Sequence, residues 1–341
     1  MQHEPYHHTA DDQPPPLTVV AGELTPLEIR RIQLADAAVL RAKQLADFSS
    51  PEFRSALDAD ELGYNAVLLT QASLPHRDPH TNTWVRANGK RRLTILADPE
   101  IGVPWGSLPR LILIWLITEV VDIDQKRRRE LGNSYRPERK VALGDSLSEF
   151  MRAISILPAG ARPTGGRWGS VPRLRKQLVK LFAASIQANW VTGSGARGGK
   201  FDVAAHYELW WDWRSENAGQ TTVWESNVIL GEQFHREIID HHYPVDLRAI
   251  RMVKRSPLAI DLYCWLTYRL FYLDAETVVP WKSLALQFGS QYGRLRAFKE
   301  AVVDALPVLR VIYPDARLKV TDQGLALRPS PPHVRTLSPR R

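Results

Sequence analysis

The sequence predicts an α+β fold, mainly α with small β-hairpins, in which three helices closed by a hairpin occur twice between disordered tails. Three observations predict it. Apolar residues recur at helical spacing in two triads of segments, within 106–190 and 256–306. Each triad precedes alternating segments broken by turn residues: 201–211 and 221–230 around Asn217-Ala218-Gly219, then 317–320 and 325–327 around Asp322-Gln323-Gly324. Trp105-Gly106-Ser107-Leu108-Pro109-Arg110-Leu111 and Trp168-Gly169-Ser170-Val171-Pro172-Arg173-Leu174 agree at six of seven positions, with a fainter copy at 280–284, as a reused helix start.

Residues 1–22, with Pro14-Pro15-Pro16, and 329–341 have the composition of disordered tails. In 26–46, Leu27, Ile32, Leu34, Ala38 and Leu45 give an amphipathic helix, with Thr25 as N-cap and Pro26 at its first position. Two short strands are expected over 83–97, joined at Asn88-Gly89. The first triad has a helix over 106–121, a short one from Asp145 or Ser146, and a long one from Val171-Pro172 to about Trp190. In the repeated start, Ser is expected to cap, Pro to occupy the first turn, and Trp to pack back as a staple. The Gly/Ser-rich stretch 191–200 reads as a flexible turn, after which Phe201, Val203, Ala205, Tyr207, Leu209 and Trp211 share one face of a strand. In the second triad Ser256 caps a helix with Pro257 first and Leu258, Leu262, Trp265, Leu266 and Tyr272 on its apolar face. A helix over 281–288 stops at Gly289, and one over 292–306 buries Leu295, Phe298, Val302 and Leu306. A helix triad closed by a hairpin is a winged helix, so two tandem winged-helix modules are expected: 23–235, with the extra N-terminal helix and hairpin, and 236–328.

The 341 residues carry a net charge of +8, and its distribution is the most informative feature for function. Between Phe150 and Phe201 there is no carboxylate, yet there are nine cations: Arg152, Arg162, Arg167, Arg173, Arg175, Lys176, Lys180, Arg197 and Lys200. Since all 37 Asp and Glu lie elsewhere with the other Lys and Arg out of 45, the rest of the chain is close to neutral. A one-sign patch of this kind points to phosphate. Arg173, Lys176 and Lys180 fall at i, i+3 and i+7 on one helix face opposite Leu174, Leu178, Leu181 and Phe182. At the start of the third helix of the second triad, Gln291, Tyr292, Arg294, Arg296 and Lys299 occupy the place from which a recognition helix reads base edges. Arg248, Arg251, Lys254 and Arg255 are candidates for backbone contact at the junction. The DNA-binding residues expected are therefore Arg167, Arg173, Arg175, Lys176, Lys180, Lys200, Gln291, Tyr292, Arg294, Arg296 and Lys299.

No catalytic, cofactor or metal constellation emerges. Residues 193–200 superficially match a phosphate-binding loop, but Ser194 stands where its first glycine belongs and Phe201 where its Ser or Thr does, and the helix precedes rather than follows. His76 and His80 are separated by Pro79, which breaks the helix that would align them. His241-His242-Tyr243 resembles a nicking motif only loosely, because adjacent histidines diverge. Asp145 and Glu149 read as helix-start residues beside Ser146 and Ser148. Cys264, the single cysteine, allows no disulfide within the chain and is expected to be a buried thiol in a reducing compartment. The longest apolar run, 111–117, is too short to span a bilayer, and the polar, His-rich start has no signal-peptide core, so no membrane or secreted role is expected.

Longer words carry a family likeness. The runs 102–111 (Gly-Val-Pro-Trp-Gly-Ser-Leu-Pro-Arg-Leu), 143–151 (Leu-Gly-Asp-Ser-Leu-Ser-Glu-Phe-Met) and 163–170 (Pro-Thr-Gly-Gly-Arg-Trp-Gly-Ser), then 245–250, 254–259, 265–269 and 313–317, resemble plasmid-encoded RepA replication initiators over about residues 60–334. The charged stretch 126–140 matches no family motif. The resemblance implies a non-enzymatic cytoplasmic protein, associated with the plasmid and nucleoid. It implies binding to direct repeats of double-stranded origin DNA, opening of neighbouring duplex, help in recruiting the host initiator and replicative helicase, and control through a homodimer. The alternative from the same modules is a winged-helix transcriptional regulator; a nickase or ATPase is the enzymatic alternative.

Overall fold

In a computed structural model the chain divides into two units after Lys43, and the second, Gln44–Arg341, is compact. The structure describes residues 56–334 except 57–58, 72, 89–90, 159, 193, 210–225 and 289–290, all in the second unit. The expected tail 1–22, the helix over 26–46 and the turn at 217–219 lie outside the described residues. In chain order the elements are β1 (Leu62–Ala66), α1 (Val67–Gln71), β2 (Thr83–Asn88), β3 (Arg91–Leu96), α2 (Ser107–Leu131), β4 (Lys140–Ala142), α3 (Leu147–Ala153) and α4 (Ser170–Phe182). Then come β5 (Ser185–Thr192), β6 (Gly195–Asp202), β7 (Ala204–Glu208), β8 (Asn227–Leu230), α5 (Glu232–Asp240), β9 (His242–Asp246) and α6 (Leu247–Val253). The chain closes with α7 (Pro257–Phe271), β10 (Thr277–Pro280), α8 (Trp281–Phe288), α9 (Leu295–Ile312), β11 (Leu318–Val320) and β12 (Gly324–Leu327). The α+β class is as expected: nine α-helices among the described residues, with four small sheets.

One order of elements occurs twice. In the first half it is α2-β4-α3-α4-β7-β8, in the second α7-β10-α8-α9-β11-β12. The three strands form sheets of order β4-β8-β7 and β10-β12-β11, so in each the last strand lies in the middle. The first copy is interrupted between α4 and β7 by the β5–β6 hairpin, which joins β2 and β3 in an antiparallel sheet of order β2-β3-β5-β6.

Local chemistry accounts for several element boundaries. Ser256 Oγ accepts from the Ala259 amide with Pro257 in the first turn, and Ser146 Oγ accepts from Glu149 while the Glu149 carboxylate accepts from the Asp145 amide. In the repeated start the cap differs from expectation. Gly106 and Gly169 are the N-cap residues and neither helix has a side-chain cap bond. Ser170 instead closes the preceding loop, its hydroxyl accepting from the Thr164 amide at 3.0 Å.

Three further segments depart from the sequence reading. The helix expected to reach Trp190 ends at Phe182, because 185–192 alternates with Ile186 and Ala188 buried and pairs with β3. The expected flexible turn at 191–200 is largely β6, where a Cβ on Gly198 would stand 2.2 Å from Asn189 Oδ1. The charged stretch 126–140 continues α2 to Leu131 and returns through β4. It is tied down at buried Asp124, which accepts from Arg128 Nε at 2.6 Å and from the Tyr135 hydroxyl. In the second copy α9 starts at Leu295 and continues through Pro307 to Ile312.

Two apolar cores result. Phe150, Leu174, Leu178, Phe182, Val228 and Phe234 belong to one, and Leu262, Tyr263, Phe298, Val302, Leu306 and Leu325 to the other. Helix α2 serves both: Ile112, Leu113, Leu116 and Ile117 face the first, Leu111 and Ile114 the second. That division explains a helix with four successive buried apolar residues and no polar side in its first half. Strand β1 pairs with β9 from Leu62↔Asp246 to Ala66↔His242. The expected module boundary at 235/236 lies within α5.

The segment from Pro329 was expected to be a tail, yet through residue 334 it packs on the second half. Tyr313 donates its hydroxyl to the Pro331 carbonyl at 2.6 Å, His333 Nδ1 lies 2.9 Å from the Tyr263 hydroxyl, and Val334 is buried. Residues 335–341 lie outside the described residues.

Candidate nucleic-acid interface

Helix α4 is amphipathic as its sequence requires: Val171, Leu174, Leu178, Leu181 and Phe182 are buried, while Arg173, Arg175 and Lys176 are exposed. Lys180 does not join them. Its Nζ donates to the Val103 carbonyl at 3.3 Å, and it is buried beneath the loop that leads into α2. Burial pushes its ammonium below the ordinary lysine value, with Asp78 opposing and Lys176 adding to the shift. The heptad geometry put Lys180 on the right face; the covering loop decides its environment. Gln177 supports that loop from the same helix, accepting from the Trp105 amide at 3.1 Å.

Beside this face is a cleft of about 590 Å³. Arg173, Lys176, Lys254 and Arg255 line it, and no carboxylate is among its lining residues. The first residues of α2, α4 and α7, namely Ser107, Ser170 and Pro257, also line it, so three helix N-termini add partial positive charge. Lys254 is held by donation to the Ser155 carbonyl at 2.7 Å, and burial lowers its ammonium, followed by repulsion from Arg255 and Arg251. The other two junction candidates are turned to ion pairs. Arg248 binds Asp246 at 2.6 Å, and Arg251 binds Glu61.

Of the remaining first-half cations, Arg167 is exposed with its guanidinium 5.1 Å from the Trp168 ring centroid, and Lys200 is exposed on β6, 3.5 Å from Asp202. In the second half the candidates differ in their surroundings. Arg294 is the exposed N-cap residue of α9. Arg296 is exposed but paired with Glu300 at 2.9 Å, and Lys299 lies 5.4 Å from the Trp281 ring centroid. Gln291 is committed to structure: its amide donates to the Arg77 carbonyl at 2.9 Å and accepts from the Arg77 amide at 2.7 Å. Tyr292 packs edge-on against Phe298 and His76.

The groups set aside as non-catalytic have definite partners. Tyr243 is buried, accepts from Asn65 Nδ2 at 2.8 Å and donates to the Cys264 carbonyl at 3.2 Å. Burial raises its phenol well above the ordinary value. The Cys264 thiol is pushed up to about 12 by burial, then by Asp261. Among the described residues no group of three or more His, Cys, Asp or Glu is placed to hold a metal, and no helix is long and apolar enough to cross a membrane.

Sequence reasoning missed the network behind the cleft. Arg110, buried in α2, donates Nε and Nη2 to Asp261 of α7 at 2.7 and 2.8 Å, and reaches the carbonyls of Leu74, Pro75 and Gly106. His76 Nε2 adds a contact to Asp261 at 3.1 Å. Burial alone would raise the Asp261 carboxyl, but Arg110 and His76 outweigh it and hold it below the usual range. Arg86 of β2 donates to the Ala285 carbonyl at 2.9 Å and to the Leu286 carbonyl of α8, and burial lowers its guanidinium to about 10. No local pattern encodes partners 151 and 199 residues apart.

No curated protein matches the chain. A structure of domains 2 and 3 of RctB is similar at 11% identity, covering 77% of this chain and 96% of that one, with a TM-score of 0.43. A second RctB domains 2–3 structure is similar at 12% identity, covering 76% and 94%, with a TM-score of 0.42. The family model described as "Plasmid encoded RepA protein" matches residues 103–282, more than half of the chain, from the loop over Lys180 through both lysines and arginines of the cleft to the start of α8, and the chain belongs to that family.

Proposed function

We propose that the protein is a plasmid replication initiator that binds repeated sites in origin DNA, promotes opening of the adjacent duplex and helps recruit the host initiator and replicative helicase. The observation that carries this reading is the cleft to which α2, α4 and the α6–α7 turn together bring four cations and three helix N-termini. That chemistry suits a row of phosphates. Membership of the plasmid-encoded RepA family supplies the replication role.

In this reading the two copies of the helix–strand–helix–helix–strand–strand order are winged-helix modules, a view supported by their equivalent sheets. Arg173, Arg175, Lys176, Arg167 and Lys200 contact one stretch of backbone, and Arg294 with Arg296 and Lys299 approaches base edges from α9. Opening needs no hydrolysis by this chain: binding the distorted duplex better than the relaxed one shifts the population. A homodimer and a cytoplasmic, plasmid-associated location belong to the same reading.

The test is selection of bound duplexes from random DNA at fixed salt, followed by footprinting of the source replicon. Protection of several direct repeats beside an AT-rich tract is expected, whereas a lone promoter operator would make the chain a regulator. Arg173→Ala with Lys176→Ala is expected to reduce the salt slope by about 0.9 for each phosphate that is no longer neutralised, while Lys180→Met leaves it unchanged. An unchanged slope in the double variant would remove the cleft from the interface.

A further inference from the structure

Trp168 is 81% exposed, and among the described residues the next large apolar side chain is Tyr272 at 57%. It is nevertheless held on a stiff support. The Thr164 amide donates to Ser170 Oγ at 3.0 Å, the Ser170 amide to Thr164 Oγ1 at 2.9 Å, and the Val171 amide to the Thr164 carbonyl at 3.1 Å. Between these ties the Gly169 amide closes a turn onto the Gly166 carbonyl, and Gly166 has φ +77°, a conformation costly for other residues. Gly169 is equally constrained, because a Cβ there would stand 2.2 Å from the Thr164 carbonyl oxygen. A loop closed in this way holds an indole in water at the entrance of α4, two residues before Ser170 of the cleft.

So large an apolar surface left in water forgoes the free energy that its burial against a partner would give. The surroundings say what covers it. Arg167 stacks over the ring at 5.1 Å, and the whole stretch 150–201 carries cations without a carboxylate. Aromatic surface interleaved with cations is the chemistry that binds unpaired nucleotides, the ring stacking on a base and the cations following the backbone. A closed duplex offers no exposed base face unless a step is first unstacked. We propose that Trp168 is a stacking platform for an unpaired base, so that the chain grips opened origin DNA through a contact it cannot make with closed duplex. This rests on the DNA-binding reading above and adds the feature that distinguishes open from closed strands.

The experiment measures affinities of the full chain for one origin site as closed duplex, as the same duplex with an unpaired bubble, and as a single strand, with 2-aminopurine in the bubble. Trp168→Ala is expected to weaken bubble and single-strand binding by about tenfold or more, as removal of one base stack implies, and to abolish quenching of the 2-aminopurine. Closed-duplex affinity is expected to stay within about twofold, with an unchanged salt slope. Trp168→Phe should keep most of the bubble preference. Equal weakening on closed duplex and bubble, or bubble binding and quenching intact in Trp168→Ala, overturns the proposal. So does a variant that binds all three DNAs normally but loses a protein partner. If the unsubstituted chain binds none of the three, the DNA-binding reading itself fails; if it binds duplex and Trp168→Ala changes nothing, only the stacking role does.

Discussion

Arg110 makes five hydrogen bonds with its five N–H groups: two to Asp261 and one each to Leu74, Pro75 and Gly106 carbonyls. A lysine there has three donors and no fork, so it leaves several of these acceptors without a partner. Asp261→Asn strands the buried guanidinium, and a loss of about 3 to 5 kcal/mol is expected in urea unfolding. The pH dependence has a definite sign. A carboxyl held below its unfolded value contributes stability that is complete above that value, about 4, and is lost as pH falls through the lower folded one. The unsubstituted chain should therefore lose stability on acidification below about pH 4, and Asp261→Asn should lose less over the same range. None of this was legible, because a basic and an acidic residue in two separate apolar helices give no sign that they meet. Exposure was legible where charge is dense: Arg173, Arg175 and Lys176 are exposed on α4 as their spacing requires. Lys180 shares their face but not their surroundings, and only the fold supplies the loop above it.

The elements recognised from sequence are those with both a period and a local start signal. Helix α7 has an apolar face, a Ser cap and a Pro in its first turn, and it begins where Ser256-Pro257 predicts. Helix α3 likewise begins after Ser146. Ser146→Ala and Ser256→Ala are each expected to cost about 1 kcal/mol in thermal or urea unfolding, with DNA affinity per folded molecule unchanged. Strand β5 was absorbed into the preceding helix because α4 and β5 run on with only Ala183 and Ala184 between them, and neither residue breaks a helix. Strands β4 and β10, of three and four residues, are too short to display a period at all; their partners β8 and β12 define them. Without them the two copies looked like helix triads followed by hairpins, and the shared sheet order stayed hidden.

At the scale of the molecule, the halves that the sequence seemed to separate share their interior. Helix α2 contributes to both cores, β1 pairs with β9, Arg86 reaches α8, and Gln287 donates to the Thr70 carbonyl. One cooperative unfolding transition is expected for residues 44–341, with the same midpoint by circular dichroism and tryptophan fluorescence. A fragment of 236–341 alone, lacking Leu111, Ile114 and Arg110, should fail to give the native fluorescence spectrum. Two well-separated transitions would contradict a shared core. The β1–β9 pair also sets an order in time. Leu62 must wait for Asp246, so at about 5 to 20 residues per second a ribosome takes roughly 10 to 40 s to deliver the partner strand. Throughout that interval β1 lacks the strand that will cover its edge, and a nascent chain interrupted before residue 242 never acquires one. Such a truncated product offers an unsatisfied strand to any chaperone, protease or neighbouring chain that reaches it first.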